Sequence, residues 1–301
     1  MSSTMVVSPI VAALVKSEDI LGKNRTWDAV NDVQQKFLKD FFSRRKELSG
    51  FPEKELKCWA SWVAAELNAI LKKERFDIKL EDFAEDEFGV VSILDVLAEW
   101  LKEGMKTKLF FEHQEYPAVR LSRTAEINDK PTKLFLGFVS DKYSFPIASV
   151  ATKSGDKVWM TVANQAVEGF ELVSKIENLR KLVSEHSTAT HFDHLIFPMV
   201  DLDQIVDIGW LKGMQTNSDA GRHFKISQAL QQTKFKMNQF GARVKSAVAI
   251  AIRATSVSIS QNLLIDAPFY LWVERNGVSY PIMYAYIDAN DWKDPGDLGN
   301  M

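Results

Sequence analysis

The densest gathering of groups able to hold a metal is His186, His191, Asp193 and His194. Imidazole and carboxylate both ligate zinc when a fold brings them to one point. On a strand running through Phe192 to Phe197, His191 and His194 fall on opposite faces, because side chains alternate along a strand. The stretch therefore reads as a polar loop entering a strand, and we expect no metal site. The run Glu81-Asp-Phe-Ala-Glu-Asp-Glu offers carboxylates for calcium. It lacks the EF-hand spacing and its glycine, and it fits the acidic start of a helix. Arg44-Arg45-Lys46 beside Phe41 and Phe42 could bind a phosphate, or could be a solvated helix end. Cys58 beside Trp59 reads as a buried structural thiol rather than a nucleophile.

No Gly-x-Ser-x-Gly, His-Glu-x-x-His, Walker or dinucleotide-binding glycine pattern occurs. With no catalytic constellation, we expect neither an enzyme nor a cofactor. A net charge of -3 provides no global basic field, so nucleic acid is not an expected partner. One cysteine excludes an internal disulfide framework. The first ten residues lack the basic and apolar regions of a signal peptide, and no apolar run reaches membrane-span length. The expectation is an intracellular protein with no membrane partner.

Such groups need elements to position them. Up to about residue 105 the apolar residues recur at helical spacing. Val30, Val33, Phe37, Leu38, Phe41 and Phe42 form one series, Leu56, Trp59, Trp62, Val63, Leu67, Ile70 and Leu71 a second. A third predicted helix covers about Val91 to Glu103, with Gly104 as its stop. From 106 the texture is β, with turn signals at Asn128-Asp129 and Ser154-Gly155. A helix is predicted over Val167 to Glu185 and a short one over Asp203 to Met214. Helices first and strands later, with no βαβ alternation, give an α+β class with antiparallel or mixed sheets. No linker of Pro, Gly and Ser divides the chain, so 1–301 reads as one domain, mainly helical over 1–105 and mainly β over 106–301.

The last third is the most ordered in pattern. Thr233, Phe235 and Met237 share one parity and Lys234, Lys236 and Asn238 the other, which is a strand with one buried face. Gly241 ends it, as a bulge or as a hinge. Beyond it Ala242, Val244, Ser246, Val248 and Ile250 form an uncharged set, and Arg243, Lys245, Ala247, Ala249 and Ala251 the other. A mobile strand, a permanent core strand and an Ala-rich helix all fit these residues. Asn276-Gly277 between apolar runs predicts a tight hairpin, and the near-continuous apolar runs place it deep in the protein.

Several segments together resemble the serpin family. Phe145-Pro-Ile-Ala-Ser-Val to Val158-Trp-Met-Thr-Val resembles its paired strands, and Val167-Glu-Gly-Phe-Glu-Leu-Val the following helix. Leu195-Ile-Phe-Pro-Met-Val with Leu202 to Met214 is similar to its strand, Pro, strand and short helix. Ile226 to Ala242 looks like the strand feeding its bait loop, with Gln239 where the family usually has Glu, and Gly241 where it has Gly. Val7-Ser-Pro-Ile-Val-Ala-Ala-Leu is similar to its Ser-Pro helix start. The resemblance implies N-terminal helices on antiparallel or mixed sheets and an exposed reactive loop at about 241–262. It implies a hinge at Gln239, Gly241, Ala242 and Val244, and a cleaved bond among Arg253, Ala254, Thr255 and Ser256. A serine or cysteine protease would cut there and be trapped as the loop inserts into a sheet. Arg253 suits a trypsin-like protease, whose pocket takes a cationic side chain. A non-inhibitory binding or structural protein on the same scaffold, viral and nucleic-acid binding among its forms, is the alternative.

Overall fold

A computed structural model describes residues 1–85, 87–242, 261–296 and 298. The chain opens with β1 (Ser3–Met5), α1 (Ser8–Lys16), α2 (Glu18–Leu21) and α3 (Asp32–Asp40), followed by a 3-10 turn over Phe42–Gly50. Pro9 sits in the first turn of α1, where a missing N–H costs nothing. Asn31 caps α3 by accepting from the Gln34 amide at 2.9 Å. Then come β2 (Leu56–Ser61), α4 (Ala64–Lys73), β3 (Gly89–Leu94) and β4 (Ala98–Glu99). Two helical expectations fail here. The series from Leu56 to Leu71 divides into a strand and a helix, and the expected helix from Val91 to Glu103 is replaced by β3, β4 and the chain after them. The reason is double coverage. Val91 and Ile93 pack against Leu67 and Leu71 of α4, while Leu56 and Leu94 pack toward the main core on the other face. A strand apolar on both faces loses its alternation.

The β region follows with β5 (Met105–Phe111), β6 (Gln114–Ser122), β7 (Thr124–Ile127), β8 (Lys130–Lys133), β9 (Phe135–Ser140), β10 (Tyr143–Ala151) and β11 (Lys157–Val162). Asn128 and Asp129, at φ of 51° and 58°, make the expected tight turn between β7 and β8. Helix α5 (Gly169–His186) buries Leu172, Val173, Ile176 and Leu179. Next are β12 (Thr188–Thr190), β13 (His194–Pro198) and β14 (Val200–Val206). The expected helix over Asp203–Met214 is thus replaced by the end of β14 up to Val206 and a 3-10 turn at Gly209–Leu211, with irregular chain and a turn around it. Asp203 faces Lys234 in the neighbouring strand, and that cross-strand charge pair holds the extended form. The chain ends with β15 (Gln215–Asn217), β16 (His223–Lys225), β17 (Gln231–Met237), β18 (Gly241–Ala242), β19 (Asn262–Leu264), β20 (Phe269–Glu274) and β21 (Met283–Ile287).

Among the described residues the largest sheet has the order β1-β21-β20-β11-β10-β9-β12, and a second has the order β19-β13-β6-β5. Strand β21 is buried throughout and β20 up to Val273, as the apolar runs predicted. The hairpin between them is wider than a two-residue turn. Only Gly277 has positive φ, at 87°, and the Val278 amide donates to the Arg275 carbonyl at 3.2 Å. That is the pattern of a type II turn, in which glycine is needed at one position only. The α+β expectation holds: a few helices pack on several antiparallel and mixed sheets. Among the described residues no helix is long and apolar enough to cross a membrane.

Tyrosine hydroxyls concentrate in this core, and burial first of all pushes their ionisation up. Tyr270 rises to about 12, and Tyr280, Tyr284 and Tyr286 also rise. A group whose folded pKa is raised stabilises the fold below its ordinary value and loses that contribution as pH climbs through the folded value. The ordinary value is 10.0. The urea midpoint should therefore hold up to about pH 10 and fall steeply between about 10 and 12, with tyrosinate absorbance rising along with unfolding. A midpoint flat across that window would show that these hydroxyls ionise freely in the folded state.

Candidate functional site: an open strand gap and its hinge

Four strands near the N-terminal half of the chain and the C-terminal third form two separate pairs, β2–β3 and β14–β17. Among the described residues β3 has no ladder partner on its other edge, and neither has β17. Both edges line one cavity of about 730 Å³. Its walls include Val91 and Ile93 from β3, Thr233 and Phe235 from β17, and Ile10 and Leu14 from α1. Unpaired strand edges across an apolar space are an acceptor for a further strand.

The residues expected to form the hinge lie at one end of this gap. Strand β17 alternates as expected: Thr233, Phe235 and Met237 are buried, while Lys234 and Lys236 reach Asp203 and Asp201 of β14. After Met237 the chain reverses. The Asn238 amide donates to the Gly241 carbonyl at 2.9 Å, and the Phe240 amide donates to Asn238 Oδ1 at 2.9 Å. Gly241 and Ala242 then run back antiparallel to β17 and pair with β4, Gly241 opposite Glu99 and Ala242 opposite Ala98. The Trp100 and Gly104 amides donate to the carbonyls of Phe240 and Gln239, at 3.1 and 2.8 Å. Trp100, 1% exposed, also donates its indole N–H to the Asn238 carbonyl at 3.0 Å. So Gly241 and Ala242 lie inside the gap mouth, between β4 and β17.

Gly241 is required by space. A Cβ there would sit 2.6 Å from the Ala98 carbonyl oxygen and 2.8 Å from the Glu99 Cα, both backbone atoms that cannot swing aside. Gln239 is 6% exposed, and its Oε1 has no hydrogen-bond donor among the described residues. A glutamate there would place a charge in the same buried position, so the neutral amide is the less costly choice.

Gln239, Gly241 and Ala242, expected as hinge residues from the family resemblance, lie together at the gap mouth. Val244, Arg253, Ala254, Thr255 and Ser256 lie outside the described residues. The described chain resumes at Gln261, whose amide donates to Asp193 Oδ2 at 3.1 Å, and β19 then pairs in parallel with β13. Trp100 and Gly104 were missed because both fell in a stretch read as helix.

The other candidates take structural places. His191 Nε2 meets Asp193 at 3.1 Å and its Nδ1 meets Arg123, while His194 sits against Arg120 and Asn262. His186 lies 3.8 Å from Glu185. The Asp193 carboxyl is held below the usual range, first by His191. Among the described residues no three His, Cys, Asp or Glu side chains converge on one point. Cys58 is half-buried on β2, not on a helix, 3.3 Å from the Ser92 hydroxyl, and burial pushes its thiol up. Arg45 lies over the Phe42 ring at 4.8 Å, and Arg44 donates to the Ser279 hydroxyl. Glu81 begins no helix; it belongs to an extended segment beside the gap.

No family model matches the sequence, and no curated protein matches it. Solved structures do. Serpin48 of the insect Tenebrio molitor aligns over 95% of this chain and 91% of its own, at TM-score 0.60 and 12% identity. SRPN18 from Anopheles gambiae aligns over 98% and 94%, at TM-score 0.59 and 13% identity. The chain has the serpin fold. Thyroxine-binding globulin in complex with thyroxine aligns as well, over 95% and 92%, at TM-score 0.59 and 12% identity. The likeness in fold therefore covers nearly the whole chain, the N-terminal part included.

Proposed function

We propose that this chain is a protease inhibitor that works by accepting its own cleaved loop as a strand between β3 and β17. The observation that carries the reading is the place of Gly241 and Ala242: they are turned into the mouth of a gap whose edges, among the described residues, are unpaired on each side. A protease acylated within 243–260 would be carried along as the loop zips in from this nucleus. Insertion is favourable because the strand gains ladder hydrogen bonds and buries apolar side chains. The stored free energy is a packing difference between two arrangements of one sequence. Arg253 is the side chain offered to a trypsin-like specificity pocket.

Incubation with a trypsin-like serine protease should give an SDS-stable adduct of chain and protease, and Arg253→Ala should abolish it while leaving the melting temperature of the intact chain unchanged. Cleavage near residue 253 with no adduct would reject inhibition. One sequence feature favours a second reading, a non-inhibitory binding protein on the same scaffold. Arg243 and Lys245 are among the first residues that would have to enter the gap, and cations slow such an entry. That reading expects loop cleavage with neither adduct nor stabilisation.

A further inference from the structure

The reversal after β17 does not hold itself. Asn238 to Gly241 closes as a two-residue hairpin, yet neither Gln239 nor Phe240 has positive φ. The turn is therefore not one of the primed types whose twist suits the flanking strands. Its closing bond, from the Gly241 amide to the Asn238 carbonyl, is long at 3.4 Å. Phe240 is only half-buried, so the turn has little apolar anchorage of its own.

Support comes through Asn238, which is 1% exposed. All of its polar groups are used. Its amide donates to the Gly241 carbonyl, its carbonyl accepts the Trp100 indole N–H, and its Oδ1 accepts from the Phe240 amide. The remaining group, Nδ2, donates to the Gly296 carbonyl at 3.0 Å. Gly296 belongs to a segment after β21 that is fixed at several points. Trp292 is buried, with its ring centre 5.5 Å from that of Phe111 and 5.2 Å from that of Tyr116. Asp294 pairs with Lys106 of β5 at 2.9 Å and accepts from the Gly296 amide at 3.0 Å. Burial by itself would raise the Asp294 carboxyl; Lys106 and then the Gly296 amide outweigh it and hold the carboxyl below its usual range. Leu298 is buried as well.

We propose that the segment from Trp292 to Leu298 is an arm that holds the Asn238 side chain, and that Asn238 is a positioning residue which keeps Gly241 and Ala242 folded back into the gap mouth while the chain is intact. The inference rests on the insertion reading above and concerns only how insertion starts. A segment already held in its final conformation has no ordering cost left when it binds, so a preformed turn shortens the wait for the first inserted residues. The exposed Lys106–Asp294 pair contributes little stability by itself. Its part is to aim the Gly296 carbonyl at a buried amide, whose N–H would be costly to leave without an acceptor.

The test uses the full chain with Asp294→Ala, which releases the arm without touching the turn, and Asn238→Ala, which removes the link itself. In intact Asp294→Ala, amide hydrogen exchange at Phe240 and Trp100 should speed up several-fold, while the β17 amides bonded to β14 stay as protected as in the parent. Unchanged exchange at Phe240 and Trp100 overturns the arm. Asp294→Asn keeps an acceptor for the Gly296 amide and should restore parental exchange; failure to restore it overturns the route through Gly296. After a cut within 243–260, the thermally stabilised form should appear several-fold later in Asp294→Ala and Asn238→Ala than in the parent. A merely structural loss would loosen the intact chain and hasten conversion, so the delay is the distinguishing sign. Equal or faster conversion overturns the positioning role and leaves insertion standing. No stabilised form in the parent overturns insertion and the positioning role together, and the exchange rates then decide only whether the arm holds the turn.

Discussion

Cutting the chain once within residues 243–260 should raise its melting temperature by on the order of 10–20 °C. The estimate follows from the parity of the segment. Ala242 faces the core, so on an inserted strand Val244, Val248 and Ile250 would share that face, and each buried aliphatic side chain would contribute about 1.5–3 kcal/mol. Together they give on the order of 5–9 kcal/mol, and a large domain gains about 2–4 °C per kcal/mol. Ladder bonds to the open edges of β3 and β17 add to this, while the desolvation of Arg243 and Lys245 subtracts. Thermal unfolding before and after limited proteolysis measures the shift, with the two fragments kept together. Val248→Asp is the decisive variant. It places a carboxylate on the core face of an inserted strand, where it has no cation to pair with. The intact variant should melt with the parent, and the cleaved variant should show little or none of the gain. If the cleaved parent melts at the temperature of the intact chain, the gap is not an acceptor for the loop.

How much of this could be read from the residues alone depended on how each element is covered. β17 was legible because one face meets the core and the other meets Asp201, Asp203 and solvent, so buried and charged residues alternate. α5 was legible for the same reason at helical period. β2 and β3 were not, because α4 covers one face and the main core the other; a strand apolar on both sides cannot be told from a helix by periodicity. Residues 76–81 beside the gap carried an alternating signal in Phe76-Asp-Ile-Lys-Leu-Glu, which was hidden by reading the acidic run from Glu81 as a helix start. The place of Gln239, Gly241 and Ala242 at the end of β17 could be read from their likeness to a known pattern. The reason glycine is needed at 241 could not, since the obstruction is the backbone of Ala98 and Glu99, more than a hundred residues away in the chain. The gap itself belongs to no segment. It exists only between two edges contributed by distant parts of the sequence.

Replacing Arg275 by methionine should be the most damaging single change to the fold, costing about 3–5 kcal/mol. Arg275 stands where β20 enters its turn. It donates from Nε and Nη2 to the two Asp156 oxygens, at 2.9 and 2.7 Å, and from Nη1 to Glu55. The Arg275 side chain is 8% exposed and that of Asp156 3%. Burial by itself would push the guanidinium down; the hydrogen bonds to Asp156 and then Glu55 outweigh it and hold the cation more firmly than usual. Phe51 covers it, with the guanidinium 5.2 Å from the ring centre. Methionine keeps the length and loses every donor, so two carboxylates are left in a site built to be neutralised. The cost is the desolvation of those unpaired charges more than the lost attraction. Urea denaturation at neutral pH should show a midpoint well below that of the parent. The triple change Arg275→Met/Asp156→Leu/Glu55→Leu, which removes the charges together, should recover much of the loss. If the single variant unfolds with the parent, the three side chains are solvated rather than paired. If the triple variant is no better than the single one, the loss comes from packing around Phe51 and not from buried charge.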